Sequence, residues 1–217
     1  MLVAAAVCPQ TPLIVPRLPE LRSACHAAVA ALRAARPDVL VVVGGAETGG
    51  AYDDRSAGTL RPWGFDVTVG EGEPVLPLSL TIGRWLLGEA PASAAARSVA
   101  FDAPPAECRA VGAELAGAAE RVALLVMADG SACLSPRAPG RYDDAAGPYN
   151  ALVAEAVGKA DVSTLAGLDP VEADRLWVSG RAALQVLAGA AEGAALEGRL
   201  LMEAAPYGVG YFSGVWS

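Results

Sequence analysis

Three stretches of the chain are apolar almost without interruption: Leu2–Cys8 (LVAAAVC), Val39–Val43 (VLVVV) and Arg121–Met127 (RVALLVM). Each is too short for an ordinary helix and is bounded by Gly, Pro or Asp. Continuous apolarity over so few residues predicts strands covered on both faces, the pattern of a parallel sheet. Between the first two lies a helix predicted over 19–35, with Leu21, Cys25, Val29 and Leu32 at spacings of four, four and three. That period builds one apolar stripe, and Pro37-Asp38 ends it. A strand–loop–helix–strand opening predicts an α/β fold with a parallel pair at the centre of a mixed or mostly parallel sheet.

The pattern weakens further along. Residues 46–74 are rich in Gly and Asp and read as a long loop with one strand around Phe65–Val69. Residues 77–88 and 105–120 are helical in pattern, with a short strand at Val99–Phe101 between them. Residues 134–148 form a Pro/Gly loop. Helices follow over 149–158 and 170–191, the second broken near Gly180. Leu200–Glu203 and Val209–Trp216 read as closing strands. Neither an internal repeat nor a linker stands out, so residues 1–217 are taken as a single α/β domain.

Composition narrows the function. Hydrophobic residues make up 53% and charged residues 18% of the 217, which argues against disorder. The formal charge of −8 opposes nucleic-acid binding, and the Arg residues are scattered singly with no basic face. Ala and Arg dominate over Lys (only Lys159), as codon bias from a GC-rich genome would give. The opening MLVAAAVCPQTPLIVP is apolar but lacks a basic start and is broken by Pro9, Pro12 and Pro16. It reads as a first strand, not a signal peptide. No apolar run approaches the roughly 18 residues of a membrane span. Cys8, Cys25, Cys108 and Cys133 lack metal-site spacing and read as buried free thiols in a cytoplasmic protein. Trp63, Trp85, Trp177 and Trp216 read as core or interface anchors.

Four short motifs and one closing stretch arrive in an informative order. Cys8-Pro9-Gln10-Thr11-Pro12 follows the first strand. VLVVV runs into Gly44-Gly45-Ala46-Glu47. Met127-Ala128-Asp129-Gly130-Ser131-Ala132 follows the third apolar strand. Ser179-Gly180-Arg181 precedes a helix, and Tyr207-Gly208-Val209-Gly210-Tyr211 opens the last strand. Together they resemble the class III extradiol ring-cleavage dioxygenase, subunit-B-like (LigB-like) superfamily, which includes the Memo-like proteins. Small Ala-rich actinobacterial members are the nearest in style. The resemblance implies the LigB-like α/β fold and, in active members, iron(II) held by two histidines and a carboxylate, with a further histidine moving protons. It also shows a departure. Gln10 stands where the first ligand histidine is expected, the end of the second strand carries no histidine, and Ala132 takes the place of the acid/base. The only histidine, His26, lies beside the apolar stripe of the first helix and is expected to be remote from any site.

Loops after parallel strands form the usual ligand crevice of such sheets. Gln10, Glu47, Asp129 and Ser131, with Arg181 and Tyr207, are expected to gather there. Asp129 and Glu47 are the candidate catalytic residues, as an acid/base pair or as ligands of a hard cation. Alternatively Asp129 caps a turn and Glu47 is solvated. Asp53-Asp54 and Asp143-Asp144 read as solvated loop acids, and Cys8 as a small core residue with no neighbour to lower its pKa. Ser131 lacks a base for a catalytic triad. The Gly44–Gly50 loop lacks the Lys and the spacing of a phosphate cradle. The expectation is a protein with no metal or other cofactor that kept the scaffold as a ligand-binding or interaction module, with a small-molecule partner, neither nucleic acid nor membrane, and room for homo-oligomerisation. The alternative is an enzyme of altered chemistry, oxidoreductase or hydrolase in type, working through carboxylates in the old crevice. Extradiol catechol cleavage itself would need histidines the chain lacks.

Overall fold

The computed structural model describes residues 1–88 and 94–217. The strands are β1 (Leu2–Cys8), β2 (Val39–Ala46), β3 (Gly50–Tyr52), β4 (Ser56–Thr59), β5 (Thr68–Val69), β6 (Glu71–Pro74), β7 (Ala94–Ala100), β8 (Val122–Met127), β9 (Gly198–Ala204) and β10 (Tyr211–Trp216). The α-helices are α1 (Pro19–Ala34), α2 (Leu78–Leu87), α3 (Pro105–Ala116), α4 (Ala146–Lys159), α5 (Val162–Ala166), α6 (Pro170–Arg175) and α7 (Arg181–Ala191).

The main sheet has seven strands in the order β3-β7-β2-β8-β1-β10-β9. Its four inner neighbours β7, β2, β8 and β1 run parallel, while β3, β10 and β9 pair antiparallel at the flanks. The three apolar segments of the sequence are therefore adjacent in the middle of a mixed sheet. Their side chains divide between two cores. Ala5, Val7, Val41, Val43, Leu124 and Val126 point to one face, covered by α3 to α7. Ala4, Ala6, Val42, Ala123, Leu125 and Met127 point to the other, covered by α1 and α2. A strand buried on both sides needs apolar residues at every position, which is why alternation is absent from the sequence. Burying each Leu or Val fully contributes roughly 1.5–3 kcal/mol.

The register matters for function. Cys8 and Gly44 both stand level with Met127, so the loops after β1, β2 and β8 leave the sheet at one edge. The face that carries α7 is drawn in tightly at glycines. A Cβ at Gly112 of α3 would strike the Val186 carbonyl, and one at Gly189 of α7 would strike the Arg109 backbone. The two helices thus pack main chain against main chain.

The segment 46–74 departs from the expected loop. It holds four short strands, of which β4, β5 and β6 form a second, three-stranded sheet, and the strand expected at 65–69 is reduced to Thr68–Val69. Every residue of β6 is exposed, so no apolar period could mark it. β7 also begins earlier than Val99, and α5 lies in a stretch that had no assigned element. Among the described residues no helix is long and apolar enough to cross a membrane.

Candidate functional site

Asp129 sits at the junction of three elements at the C-terminal edge of the sheet. It follows β8, forms an isolated bridge with Tyr211 at the start of β10, and accepts the Gly180 N–H on its carbonyl at 3.1 Å, which ties it to α7. Its carboxylate Oδ1 accepts the backbone N–H of Gln10 at 2.9 Å. The partner lies 119 residues away in sequence, so this is a long-range tether and not the local turn cap that a carboxylate beside glycine suggests. The residue is only 9% exposed. Burial pushes its carboxyl up to about 7, against the lowering effect of the Gln10 N–H. Near neutral pH it can give or take a proton.

Gln10, which tethers Asp129 through its N–H, stands outside the lining of the crevice beside it. Its Nε2 donates to Ser179 Oγ at 2.9 Å. Its Oε1 is buried and has no partner among the described residues. Beside this pair opens a crevice of about 710 Å³, lined by Phe101, Asp102, Asp129, Ser179 and Arg181 and walled by α6 and Trp177. α6 is held there by Asp169, whose side chain accepts the Val171 and Glu172 N–H groups while Pro170 starts the helix. Trp177, just after α6, adopts a left-handed backbone with φ 52° and is 58% exposed.

The remaining expected residues divide. Arg181 lines the crevice, but its terminal nitrogens are engaged: Nη1 donates to the Ala103 carbonyl at 2.6 Å and to Gln185 Oε1 at 3.0 Å, and Nη2 to the Phe101 carbonyl. It clamps the loop after β7 onto α7. Ser131 is fully buried; its Oγ donates to the Leu176 carbonyl at 2.7 Å and accepts the Cys133 N–H. That makes it an organiser of the turn behind the crevice, closed to a ligand. Glu47 is exposed and is not brought to the lining, because β2 runs on through Ala46 and carries Glu47 past the edge into solvent. Tyr207 is likewise exposed and outside the lining, where Val209 stands instead. The Glu47–Asp129 pair expected from the sequence therefore does not form.

The other sequence candidates are structural. Asp53 accepts from Arg55 N, Ser56 N and Ser56 Oγ, which lower its pKa, and Asp143 pairs with Arg175. Cys8 is fully buried; its hydrogen bond with Cys25, together with burial, raises its pKa, so it is no thiolate nucleophile. All four thiols are free and buried. His26 is exposed on α1, on the opposite side of the sheet, with its ring 6.3 Å from that of Trp85. Of the four tryptophans Trp216 is a core anchor, donating to the Val157 carbonyl at 2.7 Å, Trp85 is half-buried against the core under α1 and α2, and Trp63 and Trp177 are exposed. Sequence reasoning missed Phe101, Asp102, Asp174 and Trp177 as site residues. The one signal was a tryptophan in the break between two helices, directly before Val178-Ser179-Gly180.

The shell does not fit an iron(II) site of the two-histidine type. The end of β2 offers only Gly44 and Gly45, and the space a side chain would take at Gly45 is filled by the Phe101 ring and the Ser179 carbonyl. Among the described residues no cluster of three or more His, Cys, Asp or Glu could hold a metal ion.

No protein-family model matches the chain, and no curated protein does. Among solved structures it is similar to the uncharacterized protein JW3007 from Escherichia coli K12, with a TM-score of 0.61 and 16% sequence identity over 99% of each chain. At that identity the likeness establishes a shared fold over the full length, and nothing about chemistry.

Proposed function

We propose that this protein is a cytoplasmic small-molecule-binding protein built on a LigB-like scaffold that has lost its iron chemistry. One observation carries the reading: a buried carboxyl, Asp129, forms the floor of an open crevice of about 710 Å³ at the edge where three parallel strands end together. That edge is where sheets of this class hold ligands, and the volume suits a small organic molecule. The four short motifs support the scaffold, and Gln10, Gly45 and Ala132 stand against ring cleavage. The free buried thiols suit a reducing compartment.

The test has two arms. Anaerobic reconstitution with iron(II), followed by catechol or protocatechuate in air, is expected to give neither stoichiometric iron nor a ring-opened product. A yellow product above a no-protein control refutes the loss of iron chemistry. In the second arm a thermal-shift panel of small metabolites is expected to yield hits that vanish in Ala132→Trp, which fills the crevice from its lining. Hits that survive that variant place binding elsewhere and overturn the reading. A second reading, catalysis by Asp129 as general acid/base, rests on its carboxyl lying near 7, and turnover of a panel hit that is lost in Asp129→Asn would favour it.

A further inference from the structure

We propose that the crevice selects an organic cation, specifically a primary amine on an apolar body, and that Asp129 receives its ammonium group. The inference rests on the binding reading above and names the ligand class for the same crevice.

Three independent features point the same way. The first is an acceptor without a donor. Asp129 lines the crevice and is only 9% exposed. Its carboxylate uses one oxygen on the Gln10 N–H and has none of the described side chains on the other. Buried acceptors are nearly always satisfied, so the ligand is expected to bring an N–H. An ammonium has a donor for that oxygen.

The second is charge. Asp102, Asp129 and Asp174 all line the crevice. The one cationic lining residue, Arg181, has both terminal nitrogens turned onto protein acceptors, the carbonyls of Phe101 and Ala103 and the Gln185 amide. A carboxylate or phosphate ligand would meet three acids with no free donor side chain of opposite charge. A cation meets a favourable field, reinforced by the net charge of −8.

The third is the rim. Phe101 and Trp177 both line the crevice, Phe101 38% and Trp177 58% exposed. Trp177 holds a left-handed backbone that is costly for so bulky a residue. Aromatic faces around a carboxylate are the usual surroundings of a bound organic cation. Val171, Val178 and Val209 supply apolar wall for the body of the ligand.

Seating an ammonium against Asp129 favours its carboxylate, so binding releases a proton and strengthens as pH rises through the range in which that carboxyl titrates. The other titratable or charged groups of the lining are Asp102 after β7, Asp174 on α6 and Arg181 on α7, and Tyr211 at the start of β10 lies close enough to feel the Asp129 charge. Of these only the acids bear charge that a cation could use.

The full chain is titrated by calorimetry with benzylamine, its neutral isostere benzyl alcohol, and benzoate. Benzylamine is expected to bind at least about tenfold more tightly than benzyl alcohol, a difference of about 1.4 kcal/mol, with benzoate weakest. Asp129→Asn and Trp177→Leu are each expected to weaken benzylamine at least about tenfold, with His26→Gln unchanged as a control. Benzylamine affinity should rise between about pH 6 and about pH 8 in the wild type and stay flat in Asp129→Asn. Equal affinity for the alcohol, tighter binding of benzoate, or no benzylamine binding at about 10 mM overturns the cation proposal. Hits from the metabolite panel that vanish in Ala132→Trp would in each case leave the broader binding reading standing.

Discussion

Replacing Asp129 by Asn removes one titration and leaves the tether in place, since an Asn Oδ1 can still accept the Gln10 N–H. The carboxyl lies at about 7 in the folded protein against a model value of 3.8. The folded state therefore keeps its proton through a range in which the unfolded chain has released it. Stability from this group is complete below about pH 4, falls as pH rises, and is gone above about pH 7. A shift of about three units at about 1.4 kcal/mol each sets a ceiling of about 4 kcal/mol. Asp129→Asn is thus expected to match the wild type at about pH 3 and to exceed it by up to about 4 kcal/mol at about pH 8. Urea unfolding at half-unit pH steps measures it, provided the m-values agree, and every other titrating group cancels between the two proteins. A stability difference that does not vary with pH, or a variant weaker than wild type at the alkaline end, would refute a buried, proton-holding Asp129.

Other outcomes follow from the packing. Gly189→Ala places a methyl against the Arg109 backbone, where neither helix can yield, and should cost about 1–3 kcal/mol in chemical denaturation. His26→Gln, at an exposed position away from the crevice, should change stability by no more than about 0.5 kcal/mol in the same assay. A thiol reagent should label none of the four cysteines rapidly in the native state and all of them in denaturant, since every one is buried.

What the sequence revealed and what it hid have physical reasons. β1, β2 and β8 were legible because both of their faces are covered, so apolarity is continuous. α1 was legible because only one of its faces is. β7, AAARSVA, is built largely of alanine, which has little β preference, and only its last residues looked like a strand. The small sheet of 56–74 buries only the middle of β4, at Ala57 and Gly58 against α2, leaves β6 exposed, and gave no periodic signal. The meeting of Gln10 and Asp129 was legible from the ends of parallel strands, but only Asp129 lines the crevice. Glu47 is absent from the lining because the two glycines that seemed to close β2 lie inside it. The burial of Asp129 depends on Gln10 and Gly180, and the aromatic rim depends on how α6 ends. Neither follows from residues near them in sequence.

The position of β1 constrains how the chain can be made. It lies in the middle of the sheet between β8 and β10, so it leaves the ribosome well before its pairing partners, which come about 120 and 210 residues later. Until residue 122 is synthesised both of its edges are bare, and one stays bare until residue 211. Loop closure over such distances makes assembly slow, and an apolar strand with open edges is a template for pairing with other chains. Nascent chains of this protein will depend on holding chaperones during translation, and polypeptides released before residue 211 will aggregate instead of folding.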